Sequence, residues 1–231
     1  MAIYRSLRMT AVCAVMMLGL AVTREGAIPS LQEGQRPVLS EEEQRIIWSF
    51  GSNDILGTVA GELKRAGVPI TEDGLVAALS MKSHENVLAV TLLSALPKNP
   101  RIIAALRKAA ESDREGLALG AMNALQKYKE TGWEDQGIRR LLLFSLSGRI
   151  SLAGILARAG RSEGWPAILE GVLDRSYRGA ALREAPYFHG LSRPEWGSID
   201  VNAELKNLLD LPEVARAEIS AALKSIPSDR K

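Results

Sequence analysis

The apolar side chains of this chain recur on one helical face, and the recurrence itself repeats. Leu88, Leu92, Leu93 and Leu96 map, 29 residues further on, to Leu117, Ala121, Met122 and Leu125. A shift of 32 residues carries Ile55 and Leu56 onto Val87 and Leu88. Within each stripe the steps are three and four residues, the period of an α-helix and not of a strand. The stretch NPRIIAALRKAAESDREGLALGAMNALQKY shows one whole unit. Ile102, Ile103 and Leu106 form a first stripe, residues 110–113 interrupt it, and the stripe from Leu117 to Leu125 follows. Two short helices in about thirty residues is the construction of a helical solenoid, whose hairpins cannot bury their own apolar faces and are stabilised by their neighbours. The expected fold is all-α: a short α-solenoid of antiparallel helix pairs.

Helix starts and stops are written in the same stretches. Ser40 with Glu43 makes a capping box ahead of Ile46, Ile47 and Phe50. Gly67 and Pro69 stop the helix that contains Val59 and Leu63, and Thr71 opens the next, with Leu75, Val76 and Leu79 inward. Asn99 caps a helix whose first position is Pro100. Thr131 is expected to cap a helix running through Ile138 to Leu143, a turn at Ser147-Gly148 to follow, and Ser151 to start a further helix. Another helical run is expected from Trp165 to Val172. Residues 177–210 contain Pro186, Pro194 and several glycines, and read as an irregular crossing segment. A last helix at 211–227, with Val214, Ile219, Leu223 and Ile226 apolar, is expected to cap the open end of the array.

SHENVLAVTLLSAL and DREGLALGAMNALQKY, each preceded by a helix, resemble the second helices of HEAT-like (armadillo-type) repeats. The resemblance covers about residues 41–160. Asp113 and Arg114 match the turn Asp and following Arg of that pattern, whereas Glu85 and Asn86 depart from it. It implies a curved stack of helix pairs and a role in protein binding or scaffolding.

The first 27 residues have the layout of a secretory signal peptide. Arg5 and Arg8 lead a twelve-residue apolar run at 11–22, and small residues follow around Glu25-Gly26-Ala27. An uncleaved anchor is the minority reading, since twelve residues are short for about 30 Å of hydrocarbon. Residues 28–39 read as a linker. Removing three Arg and one Glu with the signal leaves 26 basic and 26 acidic residues, so the charge of +2 resides mainly in the export segment. A neutral mature chain excludes a nucleic-acid partner of the ordinary basic kind. Cys13, the single cysteine, leaves with the signal, so folding outside the cytoplasm rests on apolar packing alone.

The residues assign no catalytic, cofactor-binding or metal site. His84 and His189 are the two histidines, lie far apart, and have no second histidine at helical spacing. No Gly-x-Ser-x-Gly elbow and no phosphate loop is present. Glu41-Glu42-Glu43, Glu72-Asp73 and Glu134-Asp135 sit at expected helix starts, where they meet the positive end of the helix dipole. Lys64-Arg65, Arg107-Lys108, Lys127, Lys129 and Arg139-Arg140 sit near expected helix ends; Arg139 and Arg140 fit that role least. Trp133, Trp165, Tyr187, Phe188 and Trp196 gather in the later half, as interface anchors or as plugs between helices, and His189 beside them is a pocket candidate.

The function expected is that of an exported, noncatalytic scaffold binding another protein, of the cell envelope or outside it, with membrane contact only through the precursor segment. The alternative is an exported enzyme or small-ligand protein with a pocket near residues 178–200.

Overall fold

The computed structural model describes residues 39–51, 53–193 and 197–208. The described residues form eleven α-helices, one 3-10 turn and a single two-stranded hairpin, so the fold is all-α. The helices are α1 (Glu41–Ser49), α2 (Asp54–Arg65), α3 (Glu72–Ala78), α4 (Glu85–Leu93), α5 (Pro100–Ala110) and α6 (Glu115–Lys127). They continue as α7 (Glu134–Arg140), α8 (Leu146–Arg158), α9 (Trp165–Leu173), α10 (Arg178–Glu184) and α11 (Val201–Lys206). The expected signal peptide, most of the linker and the expected helix at 211–227 lie outside the described residues.

The predicted caps operate as hydrogen bonds. The Thr71 hydroxyl accepts from Gly74 N at 3.0 Å, and the Asn99 side chain accepts from Ile102 N at 2.9 Å, with Pro100 in the first turn. At α1 the capping box does more than start a helix. Glu43 accepts from Ser40 N at 2.9 Å, from Lys64 Nζ at 3.0 Å and from Ile70 N at 3.3 Å. One carboxylate thus ties the start of α1 to the end of α2 and to the segment entering α3.

Helix ends repeat a motif. At α2, Val68 N donates to Leu63 O and Gly67 N to Lys64 O; at α8, Arg161 N donates to Leu156 O and Gly160 N to Ala157 O. At α6, Glu130 N donates to Leu125 O and Lys129 N to Gln126 O. This is the Schellman closure, which needs a left-handed residue. Gly67 and Gly160 supply it at φ 78° and 83°, whereas α6 uses Lys129 at φ 57°. A side chain in that conformation costs on the order of 1 kcal/mol.

Packing runs both within successive pairs and across them. α1 packs on α2, α3 on α4, α5 on α6, and α7 on α8. Across pairs, α2 packs on α4, α4 on α6, and α6 on α8, while α3 also meets α5. Leu92 and Leu125 are fully buried, and Ala118, Ala121 and Ala124 of α6 are buried with them. Small side chains on α6 let its neighbours approach closely, and each buried leucine contributes roughly 2 kcal/mol. This first core runs from Ile46 to Leu156; a second gathers Ile150, Trp165, Ile168, Phe188, Val201 and Leu205.

The expected layout is corrected in two regions. The break after α7 falls at residues 141–145, and Ser147-Gly148 lie inside α8. Leu142 and Leu143 are 87% and 76% exposed, so the leucine run is not a helix interior. Ser145 caps α8 instead of Ser151, its hydroxyl accepting from Gly148 N at 3.2 Å. Thr131 is not the cap of α7, whose N-cap position is Trp133 with no side-chain cap bond. The described part of the crossing expected at 177–210 also contains regular pieces. α10 runs into a 3-10 turn (Ala185–Phe188), which Pro186 tolerates because it sits in the first turn. An antiparallel hairpin then pairs Ser192 with Ser198 and Arg193 with Gly197 before α11.

Glu43 gives the fold a testable acid dependence. The Ser40 amide does most to hold its carboxyl low; burial opposes this, and Lys64 and the Ile70 amide add to it, leaving the pKa at about 2 against an ordinary 4.5. A carboxylate with a depressed folded pKa contributes fully above its unfolded pKa and loses that contribution as pH falls through the folded one. Glu43→Gln is expected to lose about 1–3 kcal/mol at neutral pH by denaturant titration. The gap from wild type should close between about pH 4.5 and pH 2. An undiminished gap at pH 2 would contradict the role given to Glu43.

Candidate binding surface

The aromatic residues of the later half are mostly core. Trp133 is 2% exposed, donates its indole N–H to Glu130 O at 3.0 Å and lies against Gly137. Trp165 is equally buried and donates to Glu204 Oε2 at 2.6 Å; Phe188 is fully buried with its ring centroid 5.3 Å from that of Trp165. Trp133, Trp165 and Phe188 are therefore corrected from interface candidates to packing residues. Each indole nitrogen finds an internal acceptor, as a buried tryptophan requires. Trp196 lies outside the described residues.

Tyr187 is half-buried beneath Arg158, whose guanidinium carbon stands 4.9 Å from the ring centroid, and Arg158 pairs with Glu184 at 2.8 Å. Its ring face is thus occupied from within. His189 is half-buried, and its buried Nδ1 has no partner among the described residues. The neighbouring Phe188 and Trp165 close on each other.

The two arginines separate. Arg139 is exposed. Arg140 is withdrawn to 14% side-chain exposure and donates to Ser112 O and Glu111 O, each at 2.6 Å. Arg140 is therefore corrected to a brace that closes the turn of the preceding helix pair. Arg114 braces the turn before that in the same way, donating to Met81 O at 2.8 Å and Ser83 O at 3.0 Å. Glu115 reaches the other way, accepting from Ser145 N at 2.8 Å and Ser145 Oγ at 2.7 Å.

An open groove of about 610 Å³ lies along α5, lined by Lys98, Asn99, Pro100, Ile103, Ala104, Arg107 and Glu130. Its α5 residues stand three, four and seven positions after Pro100, along one side of the helix, where Pro100 and Ala104 are exposed and Ile103 is buried in the first core. Asn99 and Pro100 fix where that face begins, because the cap and the first-turn proline set the helix register. Pro100, Ile103 and Ala104 make an apolar floor. At the rim, Glu130 takes Lys98 Nζ at 2.6 Å and Arg107 Nη2 at 2.8 Å. The Lys98 bond, then the Arg107 bond, holds the Glu130 carboxyl below the usual range despite the opposing effect of burial. Arg107 also donates to Thr131 O at 2.9 Å, and Lys98 to Tyr128 O at 3.3 Å. Sequence reasoning named Ile103 as core and Arg107 as a helix-end charge, and so missed the groove between them. The i, i+3, i+4, i+7 face beginning at Pro100 was the available signal.

Among the described residues no group of three or more His, Cys, Asp or Glu side chains is arranged to hold a metal. No helix among them is long and apolar enough to cross a membrane.

The contrast between adjacent arginines is measurable. Arg140→Ala is expected to lower stability by about 1–3 kcal/mol, because it strands two turn carbonyls and two charge-assisted bonds. Arg139→Ala should stay within about 0.5 kcal/mol of wild type in the same denaturation series. Equal losses for the two would contradict the assignment. Comparison of the chain with protein-family models, with curated proteins and with solved structures finds no match.

Proposed function

We propose that this chain is an exported, noncatalytic helical-repeat protein of HEAT-like construction that binds another protein of the cell envelope or extracellular space. The observation that carries this reading is the recurrence of the same inter-pair contacts at a separation near thirty residues. Arg114 and Arg140 each brace the turn of the previous pair, over 33 and 28 residues respectively. Lys127 donates to Ser94 O over 33 residues, and Gln126 to Arg158 O over 32. The left-handed helix ends at Gly67, Lys129 and Gly160 stand 62 and 31 residues apart, two such steps and one. Units joined in this way offer corresponding positions of successive helices as one extended surface, which suits a protein partner. The open groove along α5 supports the same reading. The alternative, a small-ligand pocket within residues 178–200, draws on the unpartnered His189 Nδ1. It loses support from the burial of Trp165 and Phe188 against each other. The export route rests on the amino-terminal layout of Arg5, Arg8 and the apolar run at 11–22.

Partner recovery tests the reading. The chain from Ile28 onward, used as bait in a native envelope and extracellular fraction, is expected to retain the same protein reproducibly and in stoichiometric amount. Absence of any retained protein across several salt and pH conditions would overturn it.

A further inference from the structure

The groove along α5 has a chemistry of its own. Its floor, made by Pro100, Ile103 and Ala104, is apolar, and two of its lining residues are cations. The one lining carboxylate, Glu130, is already saturated by both of them. The acids flanking it are also engaged: Asp73 pairs with Arg101, and Glu72 accepts from Asn99 at 2.9 Å. The flanking cations are not. Lys108, one residue beyond Arg107, and Lys129, one residue before Glu130, are exposed and have no side-chain partner among the described residues. Glu111, the exposed C-cap residue of α5, stands four residues past Arg107 and three past Lys108. Lys129 also occupies the left-handed position that glycine takes at the ends of α2 and α8. A cation therefore stands next to the lining residue Glu130 where folding alone favours glycine.

We propose that this groove docks an extended protein segment in which acidic side chains flank a small apolar one. The apolar residue lies on Pro100 and Ala104, and the acids meet Lys108 and Lys129. The inference rests on the protein-binding reading and adds the partner's chemistry and its place. At about 610 Å³ the groove falls within the volume range of concave binding sites, and being open along its length it suits a few side chains of a longer segment. Positive charge at the rim steers an acidic segment and fixes its register, while the apolar floor supplies contact area.

The test is a fluorescence-anisotropy titration of the full chain with a labelled short peptide of alternating glutamate and leucine, and with its lysine–leucine counterpart. The acidic peptide is expected to bind, with affinity falling about tenfold from low to high salt, and the basic one to bind at least tenfold more weakly. Ala104→Glu, on an exposed helix position, should weaken the acidic peptide at least tenfold with an unchanged melting temperature. Lys129→Gly separates binding from folding, since it should raise the melting temperature and still weaken the peptide several-fold. Equal binding of both peptides, or undiminished binding by both variants, would overturn the proposal. Partner capture with the Ala104→Glu bait distinguishes the two readings. A partner retained equally by wild type and variant would sink the groove and leave the protein-binding reading standing, whereas no partner for wild type would sink that reading.

Discussion

The structure depends on α8 being buried from two sides. Leu152, Ile155 and Leu156 enter the first core, while Ile150, Ala153 and Ala157 of the same helix enter the second. A helix apolar all round is stable only where neighbours cover it all round. α6 and α7 cover one side; α9, α10 and the 3-10 turn cover the other. Close approach is built in where these helices cross. A side-chain carbon on Gly164 would meet the backbone of Ala153 at 2.6 Å, and one on Gly154 would fall on the Glu184 carboxylate that pairs with Arg158. Glycine at these positions allows α9 and α10 to lie directly against α8. Removing α8 would expose two cores at once, so the earlier helix pairs and the later segment share one wall.

Around that wall the polar groups join one pair to the next. Backbone carbonyls at turns are costly if buried without donors. Here the donors come from the neighbouring unit: Arg114 and Arg140 at one set of turns, and Tyr128 at the other, its hydroxyl lying between Leu93 O and Leu96 O. Burial pushes the Tyr128 phenol up, which keeps it a neutral donor. Such bonds contribute modestly to stability, about 1 kcal/mol each, but they fix register, because an arginine fork meets two turn carbonyls only in one alignment. Apolar packing supplies most of the stability, and these contacts select which stacking is used.

Much of this was legible in the sequence, for identifiable reasons. Ser40, Thr71 and Asn99 act over three residues, so their caps follow from local chemistry alone. The stripes of α4 and α6 are legible because burial on one helical face leaves a period. The break near α7 was misplaced because Ser147-Gly148 is the stronger local turn signal. Ser145 prevails through its bonds to Glu115, thirty residues away, and no local rule sees that contact. Residues 177–210 read as irregular because proline and glycine were counted as breaks. Ala181, Leu182, Phe188, Ile199, Val201 and Leu205 instead face the second core at short intervals that no long helix would show. The aromatics were ambiguous since interface anchors and core plugs share a composition; the internal acceptors of Trp133 and Trp165 decide for packing. The α5 side of the groove was legible as a face beginning at Pro100, but its closure was not, because Lys98 and Glu130 come from turns 32 residues apart.

The most direct test of α8 as a shared wall is native-state hydrogen exchange of wild type and Leu156→Ala. Leu156 is fully buried and belongs to the first core, so its truncation leaves a cavity on that side of α8 alone. If the two cores are one cooperative structure through α8, exchange should accelerate by comparable factors in α6 and in α9 and α10. Acceleration confined to α6 and its neighbours, with α9 and α10 protected as before, would contradict the account.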